Sequence, residues 1–482
     1  MQHIFTGWEL MSKRILIGGY YGGNNLGDDA LLAAIMASLR KQKNDLQFIV
    51  ASFDPDATRE KFNVESVHWR EITELAKSVQ RSDLVLVGGG GLFQDYWGVE
   101  PETYFRKKHG GITTYGTLVK LAHLFGKPCM LYAVGVGPLY SMEARAQTRD
   151  IFSMCMAITL RDQSSRVLIK NIGCDVETAA VIVTTDPVFS LEPSQDDHKK
   201  AVELISHFPR ATGSPLIAVS LRYWEREIAV DQWTSSLASQ LDAFIRSHNA
   251  QIILTPFQIN SEGNFTDDLA LNRMVAEKIA NSQNVFLIDK VLSAAEMQAL
   301  YQQCDLVVAM RLHAAILALN AATPMVALSY DPKVQSMMEE NALDAFVLPL
   351  NEHERFGESL ERAWQEREVT KKHIQSLLPS LRLQAAKNAE IAIQLLNGFG
   401  HTPTVEETFA FIFERFEQMQ TVDDEMSGVK NNLQLAQEKM DALILENKHL
   451  NSRIQEMENS RGWKALERLR YIYRKTIGFL KK

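Results

Sequence analysis

Short apolar runs alternate along most of this chain with longer stretches of mixed polarity, and the runs end in glycine or in a charged residue. Leu306-Val-Val-Ala-Met310 is one such run and predicts a buried strand. Leu312 to Ala322, rich in Ala and Leu, predicts a helix that Pro324 ends, and Met325 to Ser329 predicts the next strand. Strand, helix and strand in so short a span make a βαβ unit. The same alternation predicts strands at Ile15–Gly18, Gln47–Ser52, Ser82–Val87, Cys129–Val134 and Ala157–Leu160. Helices are expected at Ala30–Arg40 and Thr114–Phe125. A polar stretch rich in Pro, Asp and Lys, Glu192 to Ser214, marks a boundary. Beyond it a second series starts at Leu216 and continues through Ile252–Thr255 and Val285–Ile288. The fold class is therefore α/β, with two doubly wound, Rossmann-like domains facing a cleft. The expected domains are residues 12–205 and 206–398.

In such sheets ligands bind outside the carboxyl ends of the strands. Three glycine-rich turns follow strands of the first domain: Gly18 to Asp29, Gly88 to Asp95 and Gly135 to Pro138. The first fits neither a dinucleotide fingerprint nor a phosphate-binding loop, because Asp28 stands where the latter has lysine. A carboxylate there suits sugar hydroxyls, so Gly22, Gly23, Asn25, Asp28, Gly89, Gly90, Gln94 and Asp95 are candidate contacts for a sugar acceptor. The plainer alternative is that Asp28 or Asp29 caps the following helix. In the second domain Arg222, Gln258, Arg311, His313, Tyr330 and Lys333 all follow strands. Arg311 and His313 put a fixed cation and a titratable imidazole at one strand–helix junction. The plainer alternative pairs Arg311 with a core carboxylate and makes His313 a cap. Trp97 to Gly111, aromatic and basic, is a candidate lid.

Beyond Gly398 the pattern changes. Heptad a positions take Met426, Leu433, Met440, Asn447 and Ile454, and d positions take Val429, Ala436, Leu443, Leu450 and Met457. This predicts a coiled coil within 399–460, and the lone Asn at a favours a parallel homodimer. A single amphipathic helix folded back on the enzyme is the other reading. Residues 461–482 carry a charge of +7 on a chain whose net charge is -8, with Trp463, Leu466, Leu469, Tyr473, Ile477 and Leu480 at helical spacing. A basic amphipathic tail suits an anionic membrane surface; the acidic body makes nucleic acid a weaker match, and a solvated coiled-coil end is the plainer reading. No apolar run is long enough to span a bilayer. No metal-binding motif occurs, and the four cysteines form no close pair, which suits reduced thiols in the cytoplasm. Residues 1–11 read as a start-site extension, expected to be disordered.

Taken together, Gly19-Tyr-Tyr-Gly, Asn25-Leu-Gly-Asp28, Gly88-Gly-Gly-Gly-Leu-Phe-Gln-Asp95, Gly135-Val-Gly-Pro138, Arg161-Asp162, Asp186-Pro187, Ser220-Leu-Arg222, Met310-Arg-Leu-His-Ala314 and Ser329-Tyr-Asp-Pro-Lys333 resemble the polysaccharide pyruvyltransferase family over Lys13 to Gly398. The resemblance implies a fold similar to the two-domain glycosyltransferase-B type. It also implies pyruvyl transfer from phosphoenolpyruvate to a sugar of a cell-surface polysaccharide precursor, lipid-linked or nucleotide-linked, as a ketal. Phosphoenolpyruvate is then a co-substrate, and no other cofactor is expected. Arg311 and His313 match the family's phosphoenolpyruvate site; Gln258 departs from the His that many members carry there. The donor's carboxylate and phosphate call for Arg311 and Arg222, with Lys333 as a point charge, and His313 is the expected acid–base group. A nucleotide-sugar-dependent glycosyltransferase is the alternative, and a non-catalytic scaffold working through its coiled coil is the second. Such acceptors place the enzyme in the cytoplasm, at the inner face of the membrane.

Overall fold

The computed structural model describes residues 12–96, 99–100, 103–106, 111–174, 181–208, 213–226, 228–259 and 267–398. The start extension, most of the candidate lid, the heptads and the basic tail lie outside these. The first sheet comprises β1 (Lys13–Gly18), β2 (Leu46–Ser52), β3 (Glu65–His68), β4 (Leu84–Phe93), β5 (Cys129–Val136), β6 (Ala157–Leu160) and β7 (Val181–Val183). Their order is β3-β2-β1-β4-β5-β6-β7, and every pairing is parallel. The second sheet comprises β8 (Leu216–Ser220), β9 (Gln251–Leu254), β10 (Val285–Leu287), β11 (Leu306–Ala309), β12 (Met325–Ser329) and β13 (Val347–Pro349). It is also wholly parallel, in the order β10-β9-β8-β11-β12-β13.

Helices cover both faces of each sheet, so the central strands are buried throughout and read as continuous apolar runs. Strand order reverses between β1 and β4 in one sheet and between β8 and β11 in the other. The crevice of a doubly wound sheet opens at such a reversal. The β1 turn, the glycines of β4, Arg222 after β8 and Arg311 after β11 all stand at these two points.

Two local features differ from the expectation. The glycines Gly88 to Gly91 lie inside β4, where a turn was expected after Val87. Gly89 and Gly90 have φ of +62° and +92°, values open to glycine, and they let the strand continue through a shift in its register with β5. The first helix runs Leu26–Gln42, with Asn25 as its cap: the Asn25 side chain accepts from Gly27 N–H. Asp28 and Asp29 therefore sit in its first turn and do not cap it.

The chain also crosses between the two halves more than once. The helix Gln195–Ser206 follows β7, yet it packs on the helix Ala294–Tyr301 of the second half, with Lys200 3.2 Å from Glu296. The last described helix, Arg367–Gly398, returns to the first sheet, where buried Asn388 accepts from Thr184 Oγ1 at 2.8 Å and donates to Thr185 O at 3.3 Å. Among the described residues no helix is long and apolar enough to cross a membrane.

Candidate active site

The helix Leu312–Asn320 is buried almost all round, and its first turn carries the two residues singled out from the sequence. Arg311 is its cap residue and is 5% exposed. Its Nη2 donates to Asp268 Oδ1 at 2.7 Å and to Gln258 Oε1 at 3.3 Å. Asp268 is fully buried and its other oxygen accepts from the backbone N–H of Phe257 and Gln258, at 2.9 and 3.0 Å. One carboxylate thus fixes both the guanidinium and the loop after β9. Arg311 is held by a core carboxylate, as the plainer reading had it, and its buried Nε has no hydrogen-bond partner among the described residues.

His313 is the second residue of the helix and does not cap it. Its imidazole rests against Gly27 at the start of the helix Leu26–Gln42, and a methyl group on Gly27 would overlap Nδ1. The close approach of the two halves requires glycine there. His313 Nε2 faces Asp186 Oδ2 at 3.8 Å, and Arg161 Nη1 lies 3.8 Å from the same oxygen. Both His313 Nε2 and Asp186 Oδ2 are buried without a hydrogen-bond partner among the described residues. Burial pushes His313 down to about 4, and Arg161 and Arg311 add to the effect while Asp186 opposes it. The imidazole is neutral at pH 7.

Asp28 moves the other way. Burial and the neighbouring Asp29 raise its carboxyl to about 7, against the hydrogen bond from Asn25 Nδ2 at 2.6 Å and the charges of Arg311 and Arg222. Of the two, Asp28 rather than His313 is thus the side chain brought near neutrality. Tyr20 stands beside it, its hydroxyl raised by burial and by Asp28 and lowered by Arg222.

Lys333 and Arg161 complete a cationic wall. A Cβ on Gly91 would lie 2.9 Å from Lys333 Nζ and 3.8 Å from Arg161 Nη2, and one on Gly135 would lie 2.6 Å from Arg161 Nη2. The bare backbones of the glycine strands therefore leave room for these cations. Burial lowers the Lys333 ammonium, and Arg161 and Arg222 push it the same way. Arg222 lies over the Tyr330 ring, 5.8 Å from its centre. Arg161, missed as a site residue in the sequence, follows β6 directly, and Asp186 stands just beyond β7. The strand-end rule that singled out Arg222 would have found both. Asp268 follows no strand, so that rule has no purchase on it.

The acceptor-side candidates divide. Gln258 Nε2 donates to Gly23 O at 3.2 Å, Asn25 bridges to Gln258, and Leu26 N–H donates to Phe257 O at 2.8 Å. These bonds close the first glycine turn onto the second half. Gly22 packs against Ser52. Asp95 is turned inward: it accepts from the N–H groups of Tyr140 and Ser141 and from Ser141 Oγ, at 2.7 to 2.9 Å. Gln94 Oε1 accepts from Tyr96 N–H at 2.9 Å. Asp95 therefore holds the loop after β5, while Asn25 and Asp28 remain at the cleft.

A family model for polysaccharide pyruvyl transferases matches residues 25–332, which takes in Asp28, Arg161, Asp186, Arg222, Asp268, Arg311 and His313. The amylovoran biosynthesis protein AmsJ of Erwinia amylovora is 22% identical over 363 residues, spanning 69% of this chain and 86% of that protein. Among solved structures the fold is similar to a putative UDP-N-acetylglucosamine 2-epimerase from Listeria monocytogenes, with a TM-score of 0.56 and 15% identity over 81% of this chain and 98% of that one. It is also similar to MnaA of S. aureus, solved with UDP, with a TM-score of 0.53 and 13% identity over 81% and 99% of the two chains. A glycosyltransferase from Rickettsia africae gives a TM-score of 0.52 at 11% identity over 80% and 99%. At such identities the likeness establishes the two-domain, glycosyltransferase-B-like fold.

Proposed function

This chain belongs to the polysaccharide pyruvyl transferase family, and from that premise we propose that it moves the pyruvyl group of phosphoenolpyruvate onto two hydroxyls of a sugar in a cell-surface polysaccharide precursor. The products are a pyruvate ketal and inorganic phosphate. The observation that carries this reading is a chain of cations where the two sheets face each other: Arg161 and Arg311 act on the His313 imidazole, and Arg161 and Arg222 act on Lys333. A small donor bearing both a phosphate and a carboxylate suits such a wall, because paired guanidinium groups bind either anion bidentately. Arg161 and Lys333, which converge beside Gly91, take the phosphate. Arg311 and Arg222 take the carboxylate.

The reaction needs a proton on the methylene carbon of the enol. The protonated Asp28 carboxyl gives it up, its O–H bond breaking as the C–H bond forms from the enol π electrons. C2 becomes electrophilic, a sugar hydroxyl oxygen bonds to it, and the hydroxyl proton passes to neutral His313, whose cation Asp186 then stabilises. The second hydroxyl bonds to C2 as the C2–O bond to phosphate breaks; its proton returns to the Asp28 carboxylate, and the His313 cation gives its proton to the departing phosphate oxygen, which restores both groups. A raised carboxyl and a depressed imidazole in one site separate an acid from a base at one pH. From the sequence both roles fell to His313; the burial of its ring favours its part as base toward the sugar hydroxyl and leaves protonation of carbon to Asp28.

The test is a turnover screen with phosphoenolpyruvate against lipid-linked and nucleotide-linked sugars, read by phosphate release and by mass. Acceptor-dependent phosphate release with the acceptor gaining one pyruvyl ketal is the expected result. Turnover with a nucleotide sugar as donor, and none with phosphoenolpyruvate, would overturn it. The heptads and basic tail supply the rest of the proposal: a parallel dimer held at an anionic membrane face, where lipid-linked acceptors are made.

A further inference from the structure

Beside the cationic wall, at the carboxyl ends of β12 and β13, the second half carries a cavity of about 200 Å³. It is lined by Trp224, Tyr330, Asp331, Gln335, Pro349 and Leu350, among others. None of the steps above uses it. Tyr330 and Asp331 are shared between the two places. The Tyr330 ring carries Arg222 on the reaction side, and Asp331 accepts from Lys333 N–H at 2.8 Å and from Tyr96 OH at 3.3 Å. A molecule in the cavity therefore lies one side chain away from the donor.

Size and lining choose the occupant. Pockets for drug-sized ligands run from about 300 to 1,000 Å³, so this one admits a single ring and excludes a whole nucleotide. The Trp224 and Tyr330 rings pack tilted against each other, their centres 4.5 Å apart at 43°. They form a slanted aromatic wall, and Arg226 lies 5.3 Å from the Trp224 ring centre. The same lining carries polar groups from Asp331, Gln335 and Asn351, the last exposed. Aromatic rings lining one cavity with carboxylate and carboxamide groups match a ring with C–H groups on its faces and hydroxyls on its edge, which is a pyranose. Resting on the pyruvyl-transfer reading, we propose that this cavity is a second acceptor subsite, holding the sugar ring next to the one that receives pyruvate. The chain would then recognise its acceptor as an oligosaccharide of at least two residues.

Saturation-transfer NMR on the full chain tests this directly. The probes are methyl hexopyranosides of glucose, galactose and mannose and their disaccharides, with uridine monophosphate as a separate arm, on wild type, Trp224→Ala and Trp224→Phe. Phosphoenolpyruvate affinity is read on the same samples by thermal shift. At least one disaccharide should bind wild type through its ring C–H protons and bind Trp224→Ala about tenfold more weakly. Phe should restore most of the loss, because it keeps an aromatic face. Equal saccharide affinity in wild type and Trp224→Ala, no saccharide binding to wild type, or uridine monophosphate displacing the saccharide from the Trp224 site would each overturn the subsite. Failure of phosphoenolpyruvate to bind any of the three proteins would strike the pyruvyl reading instead, whatever the saccharides do.

Discussion

Replacing Asp28 by Asn separates the cost of this carboxyl to the fold from its use in chemistry. Its carboxyl is raised from 3.8 to about 7, and each pH unit of that difference corresponds to about 1.4 kcal/mol. The upper bound on the stability that ionised Asp28 takes from the folded protein is therefore about 4 kcal/mol. Asp28 is only partly buried, and solvent reduces that to about 1–3 kcal/mol. The sign follows from proton binding. Below pH 4 the carboxyl is protonated in the folded and the unfolded chain, and it contributes nothing. From pH 4 to 7 the unfolded chain releases the proton and the folded chain keeps it, so wild-type stability falls as pH rises. Above about pH 7 the loss is complete. Asn keeps the shape and can still accept from Asn25, but it cannot ionise. Asp28→Asn should accordingly gain little at pH 4.5 and about 1–3 kcal/mol over wild type at pH 8. Denaturant unfolding of both proteins across that range reads the difference, and titrations common to both cancel. The same variant should lose about 10²- to 10⁴-fold in turnover, the usual contribution of a general acid. Wild-type turnover should decline above about pH 7 as the acid ionises. A stability gap that is flat with pH, or a variant less stable at pH 8, would refute the assignment.

Other consequences can be checked separately. His313→Ala should abolish turnover with phosphoenolpyruvate while the protein stays folded; because the ring is depressed to about 4, wild type should lose stability as pH falls from 6.5 through 4, and the variant should lose less, by acid denaturation. Asp268→Asn removes the charge that pairs buried Arg311 and should destabilise by about 3–5 kcal/mol in urea unfolding, as broken buried ion pairs do. Gly27→Ala should displace the imidazole it touches, lowering kcat more than it raises the KM for phosphoenolpyruvate in steady-state kinetics. Deletion after Ser460 should abolish sedimentation with anionic liposomes at low salt and spare activity on a short soluble acceptor. A monomeric full-length protein that ignores such liposomes would contradict the tail proposal.

Much of the scaffold was legible from hydrophobic pattern alone, because a strand buried on both faces must be apolar throughout. β1, β2, β4, β5, β6, β8, β9, β10, β11 and β12 all stand where apolar runs placed them. The strands that escaped, β3, β7 and β13, are short edge strands. β3 reads Glu-Ser-Val-His and β13 ends in proline, so neither carries an apolar run longer than two residues. The site was legible for the same kind of reason. In a parallel sheet every strand ends on one edge, and residues just past a strand are delivered there whatever lies between. Strand order along the chain is therefore enough to bring Arg222, Arg311, His313 and Lys333 to that edge.

Sequence could not say what state those groups are in. Charge and proton affinity depend on which atoms approach within a few ångströms, and here the partners are distant in the chain. Arg311 is held by Asp268 and His313 rests on Gly27, while Asp186 comes from the crossing between the two halves. Asp28 is raised by its burial at the first helix turn. Order along the chain determined the edge on which the chemistry sits; the meeting of two sheets determined which group there holds a proton at neutral pH, because desolvation is a property of the assembled cleft and of no local stretch.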